Sequence, residues 1–178
     1  MTRTGFVMAI FAATLTLVNA APAAAYEDQV TLDLDVGGGF VLANGDAPTA
    51  GVGFGVGAGF GLGTAWTLRG RISYALHPSA SSLQVLTAGA EVHYALDILK
   101  FVPFFGVGID GIGTVRDGTF GADVAVHALL GLDWLLSRKI VVGIDIRPYV
   151  LPFSLADRGI DPVYLSATLR LSVVFDRY

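Results

Sequence analysis

The chain contains no cysteine and only two lysines. Past its first twenty-odd residues it has no apolar run approaching the roughly 20 residues that a membrane-crossing helix needs. Without cysteine there is no disulfide and no lipid-anchored cysteine, so stability must come from backbone pairing and packing. Charge is scarce as well: 15% of residues are charged and 53% are hydrophobic, with a mean hydropathy of +0.65. An ordinary soluble domain carries about a quarter charged residues. A hydrophobic chain with no helical span must either hide its apolar surface inside or show it to lipid as strands. The net charge of −4 gives no reason to expect a nucleic acid partner. At 178 residues there is room for one domain.

The N-terminus reads as a secretory signal. Arg3 supplies a positive start, an apolar stretch runs from Gly5 to Val18, and the small residues from Ala20 to Ala25 offer cleavage sites. Cutting after Ala25, with Ala23 three residues before the cut, divides the chain into a signal peptide, residues 1–25, and a mature domain, residues 26–178. Cleavage after Ala23 is the alternative.

Everything after Gln29 alternates with period two. Val52, Phe54, Val56, Ala58, Phe60 and Leu62 interleave with Gly51, Gly53, Gly55, Gly57, Gly59 and Gly61. A helix interior loses about 1 kcal/mol per glycine relative to alanine, so strand is the only regular reading. Similar runs begin at Val30, Trp66, Leu86, Phe105, Val124, Ile140 and Val163, giving eight predicted strands. Short links (Gly63-Thr64-Ala65, Asp97 to Lys100, Leu136 to Lys139) follow the even strands. Longer polar links (Ala43 to Ala50, His77 to Ser82, Gly113 to Gly121, Leu151 to Pro162) follow the odd ones. Short turns at one end and longer loops at the other are the pattern of an outer-membrane barrel, with the short turns periplasmic.

Which way the apolar face points follows from size. The bore of an eight-stranded barrel is just wide enough to be filled by side chains. Several dozen Leu, Ile, Val, Phe, Tyr and Trp side chains would overfill it, whereas the opposite face of Gly, Ser, Thr and Ala with scattered charges fits. No Asp, Glu, Lys or Arg falls in the apolar set of any run. This is expected where one Lys or Arg at mid-membrane costs roughly 2–4 kcal/mol. Phe60, Trp66, Tyr94, Phe101, Phe105, Trp134 and Phe175 fall toward the periplasmic rim, and Phe40, Phe54 and Tyr74 toward the outer one, as interface belts do. Pro103 and Pro148 are expected near the rims, where a missing ladder donor costs least. Strands in lipid must close, because hydrocarbon offers nothing to pair an open edge. The predicted fold class is an all-β, eight-stranded antiparallel up-and-down transmembrane barrel.

These residues resemble the small outer-membrane barrels of Gram-negative bacteria: the membrane domain of outer-membrane protein A, protein X and the opacity-type proteins. The resemblance covers nearly the whole mature chain, and its most recognisable piece is Phe101-Val102-Pro103-Phe104-Phe105-Gly106-Val107-Gly108. It implies a monomer in outer-membrane lipid that meets periplasmic chaperones and the barrel-assembly machinery on its way there. Members typically end on an aromatic in phase with the lipid face. Here that residue is Phe175, and Asp176-Arg177-Tyr178 follow it.

The inward face carries Asp33, Asp35, Arg69, Arg71, Glu91, His93, Asp110, Asp123, His127, Asp133, Asp145, Arg147 and Arg170. Antiparallel register sets Arg69 opposite Glu91, barrel closure brings Arg170 near Asp33 or Asp35, and the glycine row leaves space for Arg69 and Arg71 to reach across. The expected outcome is a lumen plugged by ion pairs. His93 and His127 lie on non-adjacent strands with no spaced ligand motif beside them, so no metal site is expected. The resemblance permits an enzyme acting on lipid A. His77 with Ser79, Ser81 or Ser82 is the available nucleophile-and-base pairing, placed in an outer loop. Serine-rich loops are ordinary, and no catalytic residue, cofactor or enzymatic activity is expected. The row from Gly51 to Gly63 is not a phosphate cradle, because no helix follows it. Two functions stay open: a structural or surface-interaction barrel, and a narrow pore for ions or small solutes.

Overall fold

A computed structural model describes residues 29–41, 50–78, 82–96, 100–152 and 163–176. The expected signal segment, the serines at 79 and 81, the turn residues 97–99, most of the first and last long links and the final two residues lie outside the described set. Eight strands follow one another: β1 (Gln29–Val41), β2 (Ala50–Leu62), β3 (Trp66–His77), β4 (Leu83–Ala95), β5 (Phe101–Arg116), β6 (Thr119–Leu135), β7 (Ile140–Val150) and β8 (Val163–Asp176). Each pairs antiparallel with the next, and β1 pairs with β8, so the sheet closes. Closure leaves no unpaired edge, the condition for strands to stand in hydrocarbon. Among the described residues no helix is long and apolar enough to cross a membrane.

The barrel is inside out relative to a soluble protein. Its most buried large side chains include Arg147 and Arg170, while Val52 and Val107 are 69% and 68% exposed on the outside. Among the described strands no charged residue shares the outward face. The aromatic belts form as contacts. Trp66 meets Tyr94 at 5.0 Å between ring centres, Tyr94 meets Phe105 at 5.7 Å, and Phe101 stacks on Trp134 at 5.9 Å, all toward the short-turn end. Phe54 and Tyr74 pair at 5.9 Å toward the loop end.

One expected connection needs correction. The segment from Gly113 to Gly121 is not a polar loop. β5 and β6 run on to Arg116 and Thr119 and turn through Asp117 and Gly118 alone, both at positive φ (50° and 76°). Two central residues at positive φ give the turn whose twist matches a hairpin, and Asp-Gly is a favoured pair for it. The pair therefore stands as a tall ribbon at the loop end. Pro148 falls near the rim as expected, two residues from the end of β7, and sits at a gap in the β6–β7 ladder where its missing N–H costs little. Pairing there stops between His127–Tyr149 and Leu130–Ile146.

Candidate functional site: a layered lumen

Inward-facing residues sort into three layers along the bore. The short-turn end is closed by Ala95, Val102, Phe104 and Leu129, with Leu135 packed against them. The middle is ionic. The loop end is apolar again, formed by Val41, Leu83, Val85, Ile112, Tyr149, Leu151 and Tyr164 among others.

In the middle layer four arginines (Arg69, Arg71, Arg147, Arg170) face six carboxylates (Asp33, Asp35, Glu91, Asp110, Asp133, Asp145), all buried. Glu91 is the hub. Its Oε1 accepts from Arg69 Nη1 and Arg147 Nη2, both at 3.2 Å, and its Oε2 accepts from Arg147 Nε at 3.0 Å. His127 Nε2 lies 3.2 Å from the same Oε2. The Glu91–Arg147 pair is therefore two-pronged and spans the bore from β4 to β7. A planar guanidinium suits that geometry, which a lysine ammonium cannot match. Arg147 also donates to Asp145 and to Thr168 (3.3 Å), while Thr168 donates to Asp145 at 2.5 Å. Arg170 bonds Asp133 and Asp145 and lays its guanidinium 5.0 Å from the centre of the Phe104 ring, tying the ionic layer to the apolar closure below.

On the other side, Arg71 Nε donates to Asp35 at 2.7 Å. Arg69 Nε stands 2.9 Å from Asp33 Oδ2 as a charge contact without hydrogen-bond alignment. His127 Nδ1 and Asp110 make a similar unaligned contact at 3.2 Å. Ser73 and Thr87 share a hydrogen bond of 2.6 Å just above. Both arginines of β3 reach β1 over β2, whose inward positions are all glycine, as expected. The network draws on every strand except β2, which contributes the space. Glycine performs the same service singly elsewhere. A Cβ at Gly143 would stand 2.8 Å from Nη2 of Arg170, and one at Gly108 would stand 2.5 Å from Nε2 of His127.

Most of the predicted inward residues meet here. Arg69 does pair with Glu91, but Arg170, although level with Asp35 in the register, turns to Asp133 and Asp145. Asp33 and Asp35 are taken by the arginines of β3, which leaves Arg170 the acids on its other side. Asp123 sits half-buried near the loop end, apart from the network. His93 packs its ring 5.2 Å from Phe104 in the lower closure. His77 is not in a loop. It is a fully buried strand residue whose ring stands 5.8 Å from that of Tyr164; of the nearby serines, Ser82 is exposed, and Ser79 and Ser81 lie outside the described residues. Among the described residues no cluster of three potential metal ligands occurs.

Two features escaped the sequence reading. One is Arg147 as the partner of Glu91, three strands away. The other is the apolar character of both ends of the bore, although Leu83 and Val85 in phase with Thr87, and Val102 and Phe104 in phase with Gly106, signal it.

Space in the ionic layer is minimal. The void beside Arg71, Ser73 and Tyr149 measures about 20 Å³, enough for roughly one water. The void between Arg71, Glu91, Asp110 and Tyr149 is too small for any water.

Closed topology, an apolar wall and a charged interior define the class: this is a closed eight-stranded β-barrel with the fold of the small outer-membrane barrels. Solved structures with the same fold include Neisserial surface protein A, at 12% identity, a TM-score of 0.63, and coverage of 84% of this chain and 96% of that one. Ail, the attachment invasion locus protein of Yersinia pestis, matches at 12% identity and a TM-score of 0.58, over 84% of this chain and 99% of that one. The outer-membrane enzyme PagL matches at 15% identity and a TM-score of 0.50, over 80% and 98%. Neither a protein-family profile nor any curated protein matches the chain. A surface protein, an attachment protein and an enzyme on one scaffold show that the fold does not name the task.

Proposed function

We infer that the protein is a closed, monomeric outer-membrane barrel with a structural or surface-interaction role, exported by the segment 1–25 and inserted by the barrel-assembly machinery. The observation that carries this reading is the ionic layer, in which Arg147, Glu91, Arg69 and Arg170 bridge the bore and leave a void of only about 20 Å³. An ion crossing it would have to part pairs whose partners have no water to turn to. The surplus of carboxylates over arginines would favour cations in an open bore, yet His127, set between Asp110 and Glu91, occupies that part of the lumen.

The luminal hydroxyls are tied into the wall and the network: those of Ser73 and Thr87 bond each other, and that of Thr168 donates to Asp145. The test is conductance of the purified barrel in planar bilayers. Silence across a range of voltages is expected, and cation-selective steps would replace this reading with the narrow pore.

A further inference from the structure

The loop end of the lumen holds a chamber that a plugged structural barrel does not require. Its volume is about 480 Å³, and its walls are Val41, Leu83, Val85, Ile112, Leu151 and Tyr164. These residues point inward, in phase with the arginines below, so lipid does not account for their chemistry. Side chains at the mouth of a bore that served only to be solvated would be polar. These are apolar and nearly all buried, yet they do not collapse on one another. The volume lies within the roughly 300–1,000 Å³ typical of small-molecule sites, which are apolar with a few polar groups to set orientation.

The chamber has a floor and a built wall. Tyr164 and Tyr149 meet at 5.7 Å between ring centres, and Tyr149 covers His127 at 4.8 Å, so aromatic rings separate the chamber from the ionic layer. One side is the tall β5–β6 ribbon, held by continuous pairing up to its two-residue turn. Among the described lining residues the charges are one of each sign, Arg116 beside Asp117, and the remaining polar side chains are the hydroxyls of Thr114, Thr119 and Tyr164. Nothing in that lining selects an ion.

We propose that this chamber binds a compact, uncharged, largely apolar small molecule carrying at most a hydroxyl or carbonyl, taken from the loop side and held without passage through the barrel. It goes beyond the structural role inferred above and does not depend on it, since a silent barrel can bind or fail to bind. The test uses the full mature chain in detergent-free lipid nanodiscs, with Ile, Leu and Val methyl groups observed by NMR while 2-naphthol is added. Saturable shifts are expected at Leu83, Val85, Ile112 and Leu151, while lipid-facing Leu86, Val107 and Ile109 change only in proportion to probe dissolved in the bilayer.

Ile112→Trp and Leu83→Trp fill the chamber from different strands, and each should weaken binding roughly tenfold or more. Two such variants, each checked for folding by its gel shift on heating, guard against one that fails to fold. Chamber methyls that merely track the lipid-facing ones would overturn the proposal, as would unchanged affinity in both folded variants. Binding that emerges only after residues 153–162 are replaced by a short Gly-Ser link would also overturn it, because the chain's own outer segment would then be the occupant.

Discussion

The middle of the lumen and its loop end are built from the same strands, on the same alternate positions, with opposite chemistry. On β7, Asp145 and Arg147 belong to the ionic layer, and two residues further Tyr149 belongs to the chamber floor. On β4 the change runs from Glu91 to Val85 over three inward steps. In the middle, charges withdrawn from water are tolerable only when each meets a partner, so the layer is dense and mutually dependent. At the loop end the side chains need no partners, and a void can persist among them. Inward orientation therefore sets which residues share the bore, while the spacing of charge along each strand sets where it is solid and where it is hollow.

The largest effect that would sharpen this contrast is removal of Arg147. Arg147→Ala takes from Glu91 its two-pronged partner and from Asp145 one of its two arginines, leaving Arg69 and Arg170 to hold them, and should cost about 3–5 kcal/mol, as breaking a buried ion pair does. It would be read as a lower urea midpoint for unfolding in lipid vesicles and loss of the folded band at lower temperature on gels. Next comes the Arg71–Asp35 pair, the most self-contained in the layer. Arg71→Met and Asp35→Leu should each destabilise by more than 1 kcal/mol, whereas the double variant should recover most of the loss, since two apolar groups leave no charge unpaired. A double variant no better than the sum of the singles would mean that both residues serve other partners.

The smallest effect belongs to the chamber. Leu83→Ala should cost about 1 kcal/mol or less, below the usual range for a core leucine, because the side chain borders a void and few contacts are lost. A loss of 3 kcal/mol or more would show a packed wall and would erase the distinction between the two regions.

Much of this architecture was open to reading from the residues in order. Alternation in Val52 to Leu62 admits only strand, and the exclusion of charge from one face of every run left one direction for that face. Arg69 opposite Glu91 followed from antiparallel pairing alone. The turn at Asp117-Gly118 was legible too, yet the flanking glycines at 113 and 121 made the segment look like loop. Pairing extends through both, since a strand wall at the mouth of a barrel accepts small residues.

Partners across the bore were a different matter. Register relates neighbouring strands, but Arg147 finds Glu91 three strands away, and Arg170 passes over Asp35 beside it for Asp133 and Asp145. Those choices depend on the tilt of the strands, the reach of each guanidinium and the gaps left by glycines such as Gly143 and Gly108. None of these quantities exists until the sheet has closed. Period-two order in the chain thus dictated a lipid-facing barrel with charge inside, because hydrocarbon and a narrow bore leave no other arrangement. Which charge holds which, and that a chamber survives above them, came from the closed fold, where distances across the lumen are first defined.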